Sequence, residues 1–185
     1  FFASASSTSP ERAGIAAAAQ GTFLMLLVVL VLAVPVGVLA AVYLEKFAPR
    51  NQFTDFMEIN INNLAAVPSI IFGILGAAVI IQWLFPGSRG FPIVGGTVLA
   101  FMTLPTVIIA ARAAIGAVPP SYEEAALGMG ASHQQSVFQH VLPAALPGIA
   151  SGVIIGLAQA AGETAPLLMV GMNAFINDVC DAGAA

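Results

Sequence analysis

From Gly21 to Leu44 the chain carries no charged side chain, and three further stretches are nearly as apolar: 64–85, 92–117 with Arg112 alone, and 145–172 with Glu163 alone. A helix needs about 20 mostly apolar residues to cross the hydrocarbon layer of a bilayer. Inside that layer every backbone N–H and C=O must find its partner within the protein, which favours helices for runs of this length. Four spans are therefore expected, at about 21–44, 64–85, 92–117 and 145–172. Composition argues against a soluble domain: 8% of the 185 residues are charged, against about a quarter in a typical soluble domain. Too little polar surface exists to keep so apolar a core in water. The expected fold class is all-α, a polytopic helical bundle in a membrane.

A net charge of -4 gives no footprint for nucleic acid and no polybasic lipid-binding tail. Cys180 is alone and closes no internal disulfide, and residues 1–19 lack the positive segment of a signal peptide. Pro35, Pro68, Pro105 and Pro166 lie in or near the spans, where neighbouring helices can satisfy the carbonyls that proline frees. Orientation follows from Lys and Arg near the span ends. Lys46, Arg50 and Arg112 fall on one side and Arg12 and Arg89 on the other, which puts 45–61 and 113–144 in the cytoplasm. Within 45–61, Phe53, Phe56, Met57 and Asn60 recur at helical spacing, with Asp55 and Glu58 on other faces, the pattern of an interfacial helix. Pro86 to Gly90 reads as an external turn, with Trp83 at the level of an aromatic belt.

Between the third and fourth runs lies a polar segment, 121–149. Pro119-Pro120 offers no amide donor and ends the third span, after which Ser121 is expected to cap a new helix with Glu124 three positions on. That helix would hold 123–130 and a second 132–141, before Pro143 and Pro147 redirect the chain into the fourth span. Ala125, Ala126, Gly128, Gly130 and Ala131 are small enough to let another protein's backbone approach closely, as a helix docking in a groove requires. The plainer alternative is a hairpin that only links two spans.

Glu124-Ala125-Ala126, Gly130 and Leu142-Pro143 resemble the EAA loop of ABC-importer permeases, the MetI-like family, although that family often has Ile at the position of His140. Asn63 to Gly73 and Gly162 to Leu168 resemble signatures of the phosphate-importer permeases of the PstA type. The resemblance runs from about Ser9 to Asn177 and implies one permease domain over 1–185, lacking the family's first and last spans and so truncated at both ends. It implies a subunit of the bacterial inner membrane that forms half of a translocation pathway for phosphate. Residues 121–143 would be the coupling hairpin that docks on an ATPase, with Glu123, Glu124, Ala125, Ala126, Gly130, Leu142 and Pro143 as its coupling residues. The implied partners are a second, PstC-like permease, two cytoplasmic ATPase subunits and a periplasmic phosphate-binding protein. The chain itself would be non-catalytic and hold no cofactor, with ATP and Mg on the partner ATPase. In keeping with that, it has no Gly-rich loop followed by Lys, and Lys46 is its single lysine. A permease for sulfate, molybdate or another solute is the alternative, because the coupling hairpin is shared across solutes.

Phosphate recognition needs donors such as hydroxyls, guanidinium groups and helix N-termini. Ser69, Thr103, Arg112 and Thr164 are the candidates. For Arg112, near a span end, snorkelling to lipid headgroups is the competing role. Glu163 sits deep in an apolar stretch, where a carboxylate costs a few kcal/mol and calls for a function or a partner. It either acts near the pathway without touching the anion or braces helices. Many members of the family carry Arg at the position of Gln159, one turn before Glu163, so the site is neutral here. They also often carry basic residues at the positions of Gly116, Glu123 and His133, which makes this hairpin the more acidic one. His133 and His140 lack the Cys or acidic companions of a metal site and lie far in depth from Glu163, which argues against an intramembrane enzyme. Gly152 and Gly156 form a face suited to close helix packing.

Overall fold

Pro68, Pro119-Pro120 and Pro166 each stand at the start of a helix rather than inside one. The computed structural model describes residues 16–84 and 91–170, and every regular element among them is helical. In chain order these are α1 Ala16–Val42, α2 Gln52–Ala65, α3 Ser69–Leu75, α4 Pro92–Gly116, α5 Pro120–Gly128, α6 His133–Ser136, α7 Leu142–Gly162 and α8 Ala165–Val170. Wide, π-type turns extend α1 over Tyr43–Phe47 and α3 over Gly76–Leu84, and join α6 to α7 over Val137–Val141. Arg12, Arg89, Cys180, the 86–90 turn, the ring of Trp83 and the fourth apolar stretch beyond Val170 lie outside the described residues.

Among the described residues, three continuous helices are long and apolar enough to cross a membrane: Ala18–Phe47 and His133–Gly162, of 30 residues each, and Pro92–Gly116, of 25. At 1.5 Å per residue even the shortest is about 37 Å long, more than the hydrocarbon thickness of about 30 Å. The other apolar stretches depart from the sequence-based expectation at prolines. The stretch 64–85 is not one helix, because Pro68 adopts an extended conformation (φ -56°, ψ 134°) and caps α3. Leu64 and Ala65 thus belong to the end of α2, and the residue before proline is itself disfavoured in helical geometry. The stretch 145–172 is broken after Gly162, where the ring of Pro166 would clash with the carbonyl four residues earlier in a continuing helix. Pro143 and Pro147, expected to turn the chain, do not do so: both lie within the continuous helix His133–Gly162. The wide turn just ahead of Pro143 shifts the hydrogen-bond register, with Leu142 N–H bonding the carbonyl of Val137, which accommodates the donor that proline lacks.

The described residues resolve into two units, one falling within Phe1–Leu32, Val67–Thr103 and Leu157–Ala185 and the other within Ala33–Ala66 and Leu104–Gly156. In the first, Val29, Val98, Leu99, Thr103, Pro166 and Val170 are fully buried. There α3 approaches α8 so closely that a Cβ on Gly73 would lie 2.6 Å from the Cα of Pro166.

The second unit has a core of Ala41, Val42, Ala111, Ile115, Val137, Val141, Ala145 and Ile149, drawn from α1, α4, α7 and the wide turn before it. Gly148 and Gly152 of α7 lie against Ala114 and Ala110 of α4, at the four-residue spacing that aligns small residues along one stripe. In lipid, where helices gain nothing by leaving water, such close approach supplies the attraction. Outward-facing side chains of the long helices are large and apolar, among them Leu27, Val31, Leu39, Ile154 and Ile155. A surface of that kind fits lipid or another membrane subunit.

Candidate functional site

The polar segment between α4 and α7 folds as a helical hairpin whose two helices start and stop by different means. Helix α5 begins with Pro119 as its cap and Pro120 in its first turn, a position where the missing N–H costs nothing. Ser121, expected as the cap, is therefore already inside the helix. At the other end Gly130 N–H bonds the carbonyl of Leu127 at 3.0 Å and Ala131 N–H that of Ala126 at 3.1 Å. This double closure requires a left-handed residue at Gly130, whose φ of 88° is the one positive value among the described residues. Ser132 then caps α6: its hydroxyl accepts from Gln135 N–H while the Gln135 side chain accepts from Ser132 N–H. That Ser-x-x-Gln pattern is a capping box, which makes Ser132 the cap of the second helix rather than its first residue.

The underside of the hairpin is buried through Ala126, Ser136 and Val137, the last of these a member of the second unit's core. Ser136 donates to the carbonyl of Glu123 at 3.4 Å, stitching α6 to α5. The opposite face is open. Tyr122, Glu124, Ala125, Leu127, Gly128, Gly130 and His140 are exposed, and Met129 retains 82% of its accessible surface.

The ion pairs among the described residues fall into two clusters, both reaching the wide turn that ends α1. Lys46 Nζ lies 2.8 Å from Glu123 Oε2, and the other carboxylate oxygen lies 3.2 Å from His133 Nδ1. His133 Nε2 is 3.2 Å from the carbonyl of Lys46, and the Phe47 ring meets His133 edge-on with centroids 5.3 Å apart. Both ring nitrogens thus face oxygen acceptors. The adjacent Glu45 instead accepts from Arg112 Nε at 3.3 Å, while Arg112 Nη2 donates to Glu58 at 2.7 Å. Arg112 is therefore held by two carboxylates within the chain. Glu58 is presented by α2, capped by Asn51 accepting from Thr54 N–H, with Phe53, Phe56 and Ile59 exposed. A cleft of about 490 Å³ opens beside these charges, lined among others by Glu45, Arg50, Asp55, Glu58 and Arg112.

The coupling candidates thus fall into two groups. Glu124, Ala125 and Gly130 share the open face, Pro143 is also exposed and Leu142 half-buried, whereas Ala126 is buried and Glu123 is turned toward Lys46. Of the pathway candidates, Thr103 is fully buried and donates to the carbonyls of Leu99 and Ala100 in its own helix. Ser69 opens α3, half-buried, and Gln159 is exposed on α7. Glu163 and Thr164 occupy the break between α7 and α8. Glu163 is half-buried there rather than enclosed in mid-span, which corrects its expected placement deep in a helix. Arg112 belongs to the other unit. No group of three or more metal-ligating side chains occurs among the described residues. Sequence reasoning missed Glu45, Lys46 and Phe47 as organising residues. The available signal was an adjacent pair of opposite charges in a chain nearly free of charge.

Residues 24–179 match the family of binding-protein-dependent transport system inner membrane components. The chain belongs to this family. Its apolar helices are accordingly those of a multi-pass inner membrane component of a binding-protein-dependent transport system. Among relatives, the probable ABC transporter permease protein YqgI of Bacillus subtilis is 31% identical over 91% of this chain and 56% of its own length. The phosphate transport system permease protein PstA 1 of Mycobacterium tuberculosis is 33% identical over 91% of this chain and 55% of its own. PstA of Mycobacterium leprae is 34% identical, covering 93% and 56%. The chain thus spans about half the length of the curated relatives it matches. A solved structure, the crystal structure of an amino acid ABC transporter with histidines, superposes with a TM-score of 0.55 at 24% identity, over 78% of this chain and 69% of that one. That likeness supports the permease fold.

Proposed function

We propose that this chain is the permease part of an ATP-driven phosphate importer, supplying half of the translocation pathway and taking its drive from a cytoplasmic ATPase. The observation that carries the drive is the hairpin 121–143, whose open face gathers Glu124, Ala125, Gly128, Met129 and Gly130 while its underside is fixed to the core. A small-residue surface with one outward carboxylate suits docking into a cleft of a partner. Phosphate is supported by the relatives named phosphate transport permeases.

In this reading 45–61 and 113–144 face the cytoplasm, and ATP with Mg binds the partner ATPase. A second permease subunit completes the pathway, and a periplasmic binding protein delivers phosphate. ATP-driven closure of the ATPase pair moves the docked hairpins, and the spans switch between outward- and inward-facing states. Only contacts that differ between the two states let ATP shift that balance. Ser69, Gln159, Glu163 and Thr164 are the polar groups offered to the solute.

The test is ATP-driven uptake of labelled phosphate by the full chain reconstituted with its partner subunits, with sulfate and molybdate as competitors. Phosphate uptake that unlabelled phosphate alone displaces is expected, and Glu124→Lys is expected to abolish it. Displacement by sulfate or molybdate would reassign the solute, and full uptake by Glu124→Lys would remove the docking role.

A further inference from the structure

We propose that Glu123 is a positioning residue which, through Lys46 and His133, ties the coupling hairpin to the end of α1, so that movement of the hairpin is passed directly to that helix. This rests on the coupling function proposed above and assigns different tasks to two adjacent glutamates. Glu124 is exposed and free to meet a partner. Glu123 has 21% of its side chain exposed and both carboxylate oxygens engaged within the chain.

Where α6 runs unbroken into α7, the other side of the hairpin is held poorly by covalent connection alone. Val118 N–H makes only a three-residue turn to Ile115, and Pro119 and Pro120 contribute no donors, so helical hydrogen bonding does not continue from α4 into α5. The Lys46–Glu123–His133 ring ties α5 to the turn that ends α1 instead. It closes through three elements: the turn ending α1, helix α5 and helix α6. Phe47 backs the ring, edge-on to His133 and stacked on Phe138 at 6.2 Å. One residue earlier, Glu45 fixes the same turn to α4, and through Arg112 to Glu58 of α2. The end of α1 is thereby held from both sides, with Lys46 the contact that faces the hairpin.

The test uses the full chain in complex with its ATPase and partner permease, reading ATPase co-purification, ATP hydrolysis and solute uptake on the same preparation. Glu123→Lys and Lys46→Glu are each expected to retain the ATPase and hydrolyse ATP while uptake per ATP falls at least about fivefold. The double swap should return it to within about twofold, the signature of a direct pair. Glu123→Gln, the mildest change, should show the loss in part, and it decides the matter if the charge reversals fail to fold. Normal uptake per ATP in Glu123→Gln and Glu123→Lys would overturn the proposal. So would a folded, assembled double swap that stays uncoupled, or release of the ATPase by Glu123→Lys that the swap does not reverse. A wild-type complex that couples no uptake to ATP would instead remove the proposed function, and this assignment with it.

Discussion

Arg112 Nη2 donates to Glu58 Oε1 across 2.7 Å, and the same guanidinium reaches Glu45 at 3.3 Å, so one side chain of α4 joins α2 to the end of α1. All three side chains keep between 25% and 34% of their surface, which screens the attraction. Arg112→Met is expected to lower stability by about 1–2 kcal/mol, within the range of exposed pairs plus a charge-assisted hydrogen bond. Arg112→Lys should lose less, keeping charge but not the forked geometry. Thermal unfolding in mild detergent measures both, and the Met variant's deficit should shrink at high salt. A deficit independent of salt would show that the loss is one of packing.

Gly152 and Gly128 make a matched pair of glycine substitutions. A Cβ at Gly152 would stand 2.5 Å from Ala110 Cβ, inside the α4–α7 contact, whereas one at Gly128 meets nothing within 4 Å. Gly152→Ala is expected to cost about 1–3 kcal/mol through overpacking. Gly128→Ala should be neutral or stabilising by up to about 1 kcal/mol, since glycine disfavours helix. Unfolding midpoints of the two variants moving the same way would count against this packing.

The helices over 21–44 and 92–117 and the hairpin were legible from the sequence because they depend on local facts: long uncharged runs, two adjacent prolines and a motif of small residues. Which glutamate turns inward was not. Glu123 and Glu124 are neighbours on a helix of nine residues, and the choice is made by Lys46, 77 positions away. Hydrophobic periodicity gives no help in spans that are apolar on every side, so the α4–α7 contact is marked by small residues instead of by alternation. Ser121 failed as a cap because proline's fixed φ competes for the same start of helix and wins. Glu163 looked enclosed because composition ran on through it, yet Pro166 ends the helix ahead of it. Sequence length alone could not separate a broken stretch from a continuous one.

Ser132 and Gly130 govern the turn between α5 and α6. Ser132→Ala removes a reciprocal cap and is expected to cost about 1 kcal/mol. Gly130→Ala forces a Cβ into a left-handed conformation (φ 88°), for a penalty of about 1–2 kcal/mol. Hydrogen exchange should show faster opening of 121–141 in both variants while the α4 amides stay protected. Uniform acceleration throughout the chain would mean that the turn is not an independent structural joint.

Thr103 offers the sharpest contrast between a residue selected by chemistry and its place in the fold. A hydroxyl within an apolar stretch qualified it as a phosphate donor, but the side chain is wholly buried and bonds the carbonyls of Leu99 and Ala100, at 3.0 and 3.3 Å. Threonine satisfies itself this way on a helix without needing any neighbour. Thr103→Val keeps the shape and removes only a donor whose acceptors sit within the helical backbone. It is expected to change stability by less than about 1 kcal/mol and to leave phosphate uptake within about twofold of wild type, a span of about 0.4 kcal/mol in the barrier. Loss of uptake at unchanged stability would return Thr103 to the pathway, since the hydroxyl would then have to leave its helix to meet the solute.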